Sequence, residues 1–242
     1  MLNPIALIQT PDAHRIPPLD GLLAPFVAGP FALLTLDLAD ADAARYADIA
    51  SQDAAWLSHG LARQHSTLAA LHAALPIYPL QFGLIVPQAD ETLSAAHAHA
   101  SELQAYFQAV TGATEWGIKA FSDASSEPAA EPTAGQSGLA WLKARQAAPA
   151  LKREMSNSAR QAAHSALAPL LALARANVAI ERAQFVERHG KLELLNLALL
   201  IDDHQTAEFT HLAEQIKEQL KAQGIGLSVS GPWPCFSFRP RL

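Results

Sequence analysis

Cysteine is almost missing from this 242-residue chain, where Cys235 is the single one. No disulfide can form within it, so a reducing compartment such as the cytosol fits best. Basic runs are missing too. Lys and Arg number 17 against 23 Asp and Glu, a formal net charge of −6. The densest cationic cluster is Lys143, Arg145, Lys152 and Arg153, which reads as the solvated face of a helix. Phosphate contacts need clustered cations, so this balance argues against a nucleic-acid partner. Nor does any apolar run approach the roughly 18 residues that read as a membrane-crossing helix. Met1 to Thr10 lacks the basic start and long apolar core of a secretory signal, so no membrane association is expected.

What is present is apolar: half the residues are hydrophobic and 17% are charged. A chain of this size and composition buries a sizeable core and is globular, as one large domain or two small ones. Ile5 to Ile8 and Phe31 to Leu38 read as strands separated by a Pro-rich loop, Pro17 to Pro30. Asp40 and Asp42 suit a helix N-terminus, where free N–H groups face outward. Leu57, Leu61, Leu68, Leu71 and Leu75 fall on one helical face, and Pro76 stops that helix. Tyr78 to Val86 reads as a short strand bracketed by prolines. Leu93, Ala96, Ala100, Leu103, Phe107 and Val110 form the seam of one amphipathic helix, closed by Gly112. Glu115 to Phe121 completes a β-β-α-β-α-β order close to a ferredoxin-like domain over 1–122.

Residues 123–137 hold little that can pack and read as a linker. Beyond it, 138–242 reads as a helix followed by a smaller α-β-β-α-β unit. The Ala-rich helix from Leu139 to Ala174 is interrupted at Pro149 and Pro169. Val178–Val186 and Leu192–Ile201 form a hairpin turning at His189-Gly190. A helix with Phe209, Leu212, Ala213, Ile216 and Leu220 on one face follows Asp202-Asp203, and Leu227 to Ser230 is the last strand. The tail, 231–242, is aromatic and Pro-rich.

Catalytic patterns are absent. There is no Gly-x-Ser-x-Gly, P-loop or dinucleotide turn, and Gly224 with Gly226 reads as a helix stop. Ten histidines do not make a metal site by spacing. His97 and His99 point to different helix faces, and His65 and His72 lie about 10 Å apart along an axis, too far for one zinc ion. Asp202, Asp203 and His204 read as helix capping before metal binding. Cys235 has Arg239 and Arg241 nearby in sequence but no base to activate it. No catalytic, cofactor-binding or metal-binding residue is assigned.

Four ordered segments resemble the gas vesicle GvpF/GvpL family. Leu75-Pro76-Ile77-Tyr78-Pro79-Leu80-Gln81-Phe82-Gly83 is similar to that family's Val-Leu-Pro-Leu-Arg-Phe-Gly strand entry. Glu115-Trp116-Gly117-Ile118-Lys119 resembles its Glu-x-Gly-Val-Lys strand, and Gly138-Leu139-Ala140-Trp141-Leu142 with Arg145 its Gly-x-x-Tyr-Leu helix start. Gly231-Pro232-Trp233-Pro234-Cys235-Phe236-Ser237-Phe238 resembles its Gly-Pro-Trp-Pro-Pro-Tyr-Ser-Phe tail, the most specific of the four. Asn196-Leu197-Ala198 is a weaker match, and residues before about Trp56 match in strand pattern alone. Gln81 stands where the family has Arg, which removes a cation that could pair with Glu115. Trp141 replaces Tyr, and Cys235-Phe236 replaces Pro-Tyr.

The resemblance implies an α+β protein of two small ferredoxin-like (modified) domains with a C-terminal tail. It implies a non-enzymatic minor component of gas vesicle assembly and nucleation, cytoplasmic and at the vesicle. Its partners would be the shell protein GvpA, whose aggregation it would limit, and other accessory Gvp proteins. The competing classes are an enzyme on a ferredoxin-like scaffold and a generic oligomeric scaffold. Covering an apolar shell protein needs a free strand edge or an apolar surface. The tail offers Trp233, Phe236 and Phe238 as partner-binding residues. Their burial is worth at most about 11–19 kcal/mol gross, against about 8–16 kcal/mol for ordering the tail backbone. Pro232 and Pro234 stiffen the unfolded tail and tilt this balance toward docking on its own chain.

Overall fold

The computed structural model describes residues 1–49, 52–123, 157–180, 187–188 and 191–241. The linker, the start of the Ala-rich helix with Pro149, the Gly138–Leu142 segment, the Lys143 cluster and the His189-Gly190 turn lie outside them. Contacts divide the chain into two units, Met1–Glu115 with Pro232–Leu242, and Trp116–Gly231. The sequence division differs in two places: it assigns the tail to the second domain and closes the first domain with the Glu115–Phe121 strand.

In the first unit, β1 (Asn3–Gln9), β2 (Phe26–Ala28), β3 (Phe31–Leu36) and β4 (Tyr78–Pro79) form a sheet of order β2-β3-β1-β4. All three pairings are antiparallel. β1 and β3 are buried on both faces, which is why their sequences run apolar without alternation. On one face, Ile5, Ile8, Leu34 and Leu36 pack on Leu68 and Leu71 of helix α2 (Ala54–Ala74), which follows the short α1 (Asp40–Ala47). The Asp53 carboxylate caps α2, accepting the Trp56 N–H at 2.8 Å, and this bond holds its pKa below the usual carboxylate range. Helix α1 begins at Asp40 with Asp42 in its first turn, where the sequence places these acidic residues, behind Ala39 at the N-cap; the Asp42 carboxylate also accepts from the Trp56 indole.

Helix α3 (Ala89–Ala98) and helix α4 (Ala100–Val110) follow. Phe31 of β3 stacks on Phe107 of α4 and tilts against His97 of α3, each pair with centroids 6.3 Å apart. A single helix is expected here, but the backbone leaves the helical conformation at His99 (φ −109°, ψ 28°), which ends α3 and stands at the N-cap of α4 without a side-chain cap bond. Its Nδ1 lies 3.1 Å from the carboxylate of Glu102. The strand expected over Tyr78–Val86 shrinks to β4 and one bridge, Leu2 to Val86. Pro79 has no N–H to extend the ladder, and Gly83, at φ +85°, turns the chain.

The second sheet has the order β6-β8-β5-β9, with β7 (Glu187–Arg188) added on β8. Its strands are β5 (Ala113–Asp123), β6 (Ala176–Ala179), β8 (Lys191–Asp202) and β9 (Ile225–Trp233). A Cβ on Gly117 would meet Ser230 Oγ at 2.7 Å and one on Gly226 would meet Phe121 O at 3.9 Å, which fixes β5 and β9 as antiparallel neighbours. β5 is paired on both sides, so the Glu115–Phe121 segment is the central strand of the second sheet and does not close the first.

Two helices precede β6, α5 over 157–166 and α6 (Ala168–Leu173), with Pro169 in the first turn of α6 where its missing N–H costs nothing. Helix α7 (Thr206–Lys221) joins β8 to β9. The order β5-α-β6-β8-α7-β9 is a split βαββαβ, the ferredoxin-like arrangement. The first sheet repeats the same spatial order, with a 3-10 turn (Thr10–Arg15) and the Pro-rich loop in place of its first helix. The fold is therefore α+β with two modified ferredoxin-like sheets.

The core of the second unit centres on Phe209, fully buried, with its ring 5.1 Å from Trp116. Leu220, Ile216 and Ala213 of α7 face Ile118, Leu199 and Ile201, as the helical spacing predicts. Asp202 does not cap the following turn; its carboxylate pairs with Arg175.

Candidate functional site

The C-terminal tail is hydrogen-bonded to the first unit at Cys235, Ser237, Arg239 and Pro240. Gly231, at φ +140°, adopts a backbone that side chains rarely allow, and Pro232 follows. Pro234 and Cys235 are buried, and Phe236–Phe238 forms a 3-10 turn. Phe236 packs on the core that includes Ile5 and Leu71, with the Arg239 guanidinium 5.8 Å from its ring centre. Trp233 meets the His65 ring of α2 edge-on at 4.8 Å. Trp233, Phe236 and Phe238 are each half-buried.

Polar groups fasten the tail along its length. Glu115, 6% exposed, accepts the Ser237 N–H at 2.8 Å on one carboxylate oxygen and the Ser237 hydroxyl at 2.7 Å on the other. Burial pushes the Glu115 carboxyl above the usual range, while the Ser237 bonds and Arg239 pull it back. Arg239 donates to Pro79 O at 2.6 Å, and the Tyr78 hydroxyl donates to Pro240 O at 2.7 Å. The Tyr106 hydroxyl lies 2.9 Å from Ile77 O and 3.2 Å from Cys235 O, so one proton serves two carbonyls. Burial raises the pKa of Tyr106 and Tyr78, keeping both phenols protonated as donors. Cys235, 1% exposed, directs its thiol toward Ala113 O at 3.9 Å.

The three aromatic residues singled out in the sequence thus share one tail, docked on the first unit. The groups that hold it were not singled out: Tyr78, Tyr106, Ser237 and Arg239. Their visible signal is small, a Tyr within an otherwise apolar helix seam and a Ser between two Phe. Glu115 does carry a signal, as an acidic residue entering an apolar strand. Its partner is Ser237, while Gln81 is exposed.

Among the described residues, no group of three or more His, Cys, Asp or Glu is placed to hold a metal ion. No described helix is long and apolar enough to cross a membrane. Large apolar side chains exposed among the described residues are Met1, Phe26, Val27, Leu61 and Val178. Phe26 and Val27 lie on β2, the edge of the first sheet.

Two modified ferredoxin-like sheets, followed by a tail fastened to the first, define a class of two-unit α+β proteins. The family model described as gas vesicle synthesis protein GvpL/GvpF matches residues 26–240, and the chain belongs to that family. The crystal structure of the gas vesicle protein GvpF from Anabaena sp. PCC7120 superposes with a TM-score of 0.68 at 17% identity, covering 100% of this chain and 96% of that one. GvpF from Microcystis aeruginosa gives a TM-score of 0.64 at 15% identity, covering 99% of each. At these identities the likeness is one of fold. No curated protein matches the chain in sequence.

Proposed function

We propose that this chain is a non-enzymatic accessory component of gas vesicle assembly and nucleation, which binds the shell protein GvpA and limits its aggregation. Membership of the gas vesicle family over residues 26–240 carries this reading. A protein that coats gas must expose apolar surface and aggregate before assembly, and a partner that shields it must present apolar surface in turn. The exposed Phe26 and Val27 on an edge strand supply such surface. The tail residues Trp233, Phe236 and Phe238 add their outward faces, and other accessory Gvp proteins are further partners. The place of action is the vesicle, in the cytoplasm.

The test is co-purification of the tagged chain from cells with and without GvpA. Recovery of GvpA supports the reading, and its absence from the pull-down under conditions that support vesicle formation opposes it. A folded chain truncated after Ser230 separates the tail's part: weaker GvpA recovery assigns contact to the tail, and unchanged recovery removes it.

A further inference from the structure

The segment between β1 and β3 is unusual for a loop. From Ile16 to Ala28 it holds three prolines, four leucines and isoleucines, Phe26 and Val27, and a single charged residue, Asp20. In the structure this segment forms a groove of about 540 Å³ lined by Ile16, Leu19, Leu22, Leu23 and Pro25, with Asp20 in its wall. The groove leads into β2, where Phe26 is 36% and Val27 55% exposed. Ile16, Leu19 and Leu22 rest on the core with their inner faces, so the groove floor is braced.

We infer that this strip is a docking surface for an apolar peptide segment bearing a basic side chain, with the cation seated on Asp20. The argument is one of complementarity. Pro17, Pro18 and Pro25 have no N–H. The N–H groups of Leu22 and Leu23 are already donated to Leu19 O and Thr35 O. The lining therefore offers few free N–H groups, a single carboxylate and apolar side chains, and the matching occupant brings positive charge and apolar surface. Asp20 is exposed and makes no ion pair among the described residues. It is the sole charged group of the lining. The half-buried Ile16, Leu19, Leu22 and Leu23 of the groove, with the exposed Phe26 and Val27 that follow in sequence, supply the apolar contacts for such an occupant. The inference deepens the assembly reading by giving the contact surface its chemistry, and the identification of the strip's partner rests on that reading.

The test uses the full chain and three leucine-rich amphipathic probe peptides, identical except for Lys, Gln or Glu at one central position. Fluorescence anisotropy is expected to rank them Lys over Gln over Glu, with about a fivefold step for each change, the most an exposed ion pair delivers. Asp20→Lys is expected to reverse the order. Val27→Asp, at an exposed position that tolerates charge, is expected to weaken all three peptides at least tenfold. Equal affinities for the Lys and Glu peptides, or unchanged binding by Val27→Asp, overturns the inference. So does concentration-dependent dimerisation that Val27→Asp abolishes, since the strip then belongs to a second copy of the chain. GvpA recovery that survives both Asp20→Lys and Val27→Asp would leave the assembly reading standing and sink this surface alone.

Discussion

Ser237 and Glu115 offer the sharpest perturbation, because their two hydrogen bonds close the tail onto the first unit at a buried carboxyl group. Hydrogen bonds to ionised groups contribute about 1.5–3 kcal/mol each, and a buried partner left unpaired costs a further share. Ser237→Ala removes the 2.7 Å hydroxyl bond but keeps the 2.8 Å backbone one, so a loss of about 1.5–3 kcal/mol is expected. Glu115→Ala removes both bonds but also relieves a desolvated carboxylate, whose pKa is raised by burial, so its own loss is of similar size and not double. The double variant then loses less than the sum, and a double-mutant cycle gives a coupling of about 1–2 kcal/mol. Urea unfolding at neutral pH, followed by tryptophan fluorescence, measures each corner. A coupling below about 0.3 kcal/mol would refute the reasoning, since the two side chains would not then share a bond that matters.

The same carboxyl sets a pH dependence. Its pKa is raised in the folded chain, so its contribution is greatest at low pH and is lost as pH rises through that raised value. The stability of the wild type relative to Glu115→Gln is therefore expected to improve as pH falls from neutral toward the ordinary glutamate range, and paired urea titrations at several pH values read it out. Phe209→Ala, which empties a fully buried site against Trp116, is expected to cost about 3–5 kcal/mol in the same assay. Gly83→Ala places a methyl group 2.8 Å from Ile49 Cδ1 at φ +85°. A destabilisation of about 1–3 kcal/mol should follow, seen as a lower urea midpoint.

Much of the fold could be read from periodicity, because most elements bury one face or both. The seam of α7 and the apolar runs of β1 and β3 name their own cores. Three features could not be read that way. β5 belongs to the second sheet because of pairing partners that lie some 75 to 110 residues further along the chain, and no local pattern carries such information. The break at His99 is a departure of the backbone at a single residue, which a smooth apolar seam conceals. The tail was legible as aromatic and stiff. Its fastening on Tyr78, Tyr106 and Glu115 was not, since single polar residues in apolar elements have no period.

The account stands most directly on one measurement, light scattering of GvpA diluted from denaturant into buffer with and without the folded full chain. Suppressed scattering that rises to a plateau at a fixed ratio of chain to GvpA is the expected result. Scattering that is unchanged by an excess of folded chain would contradict the proposed role.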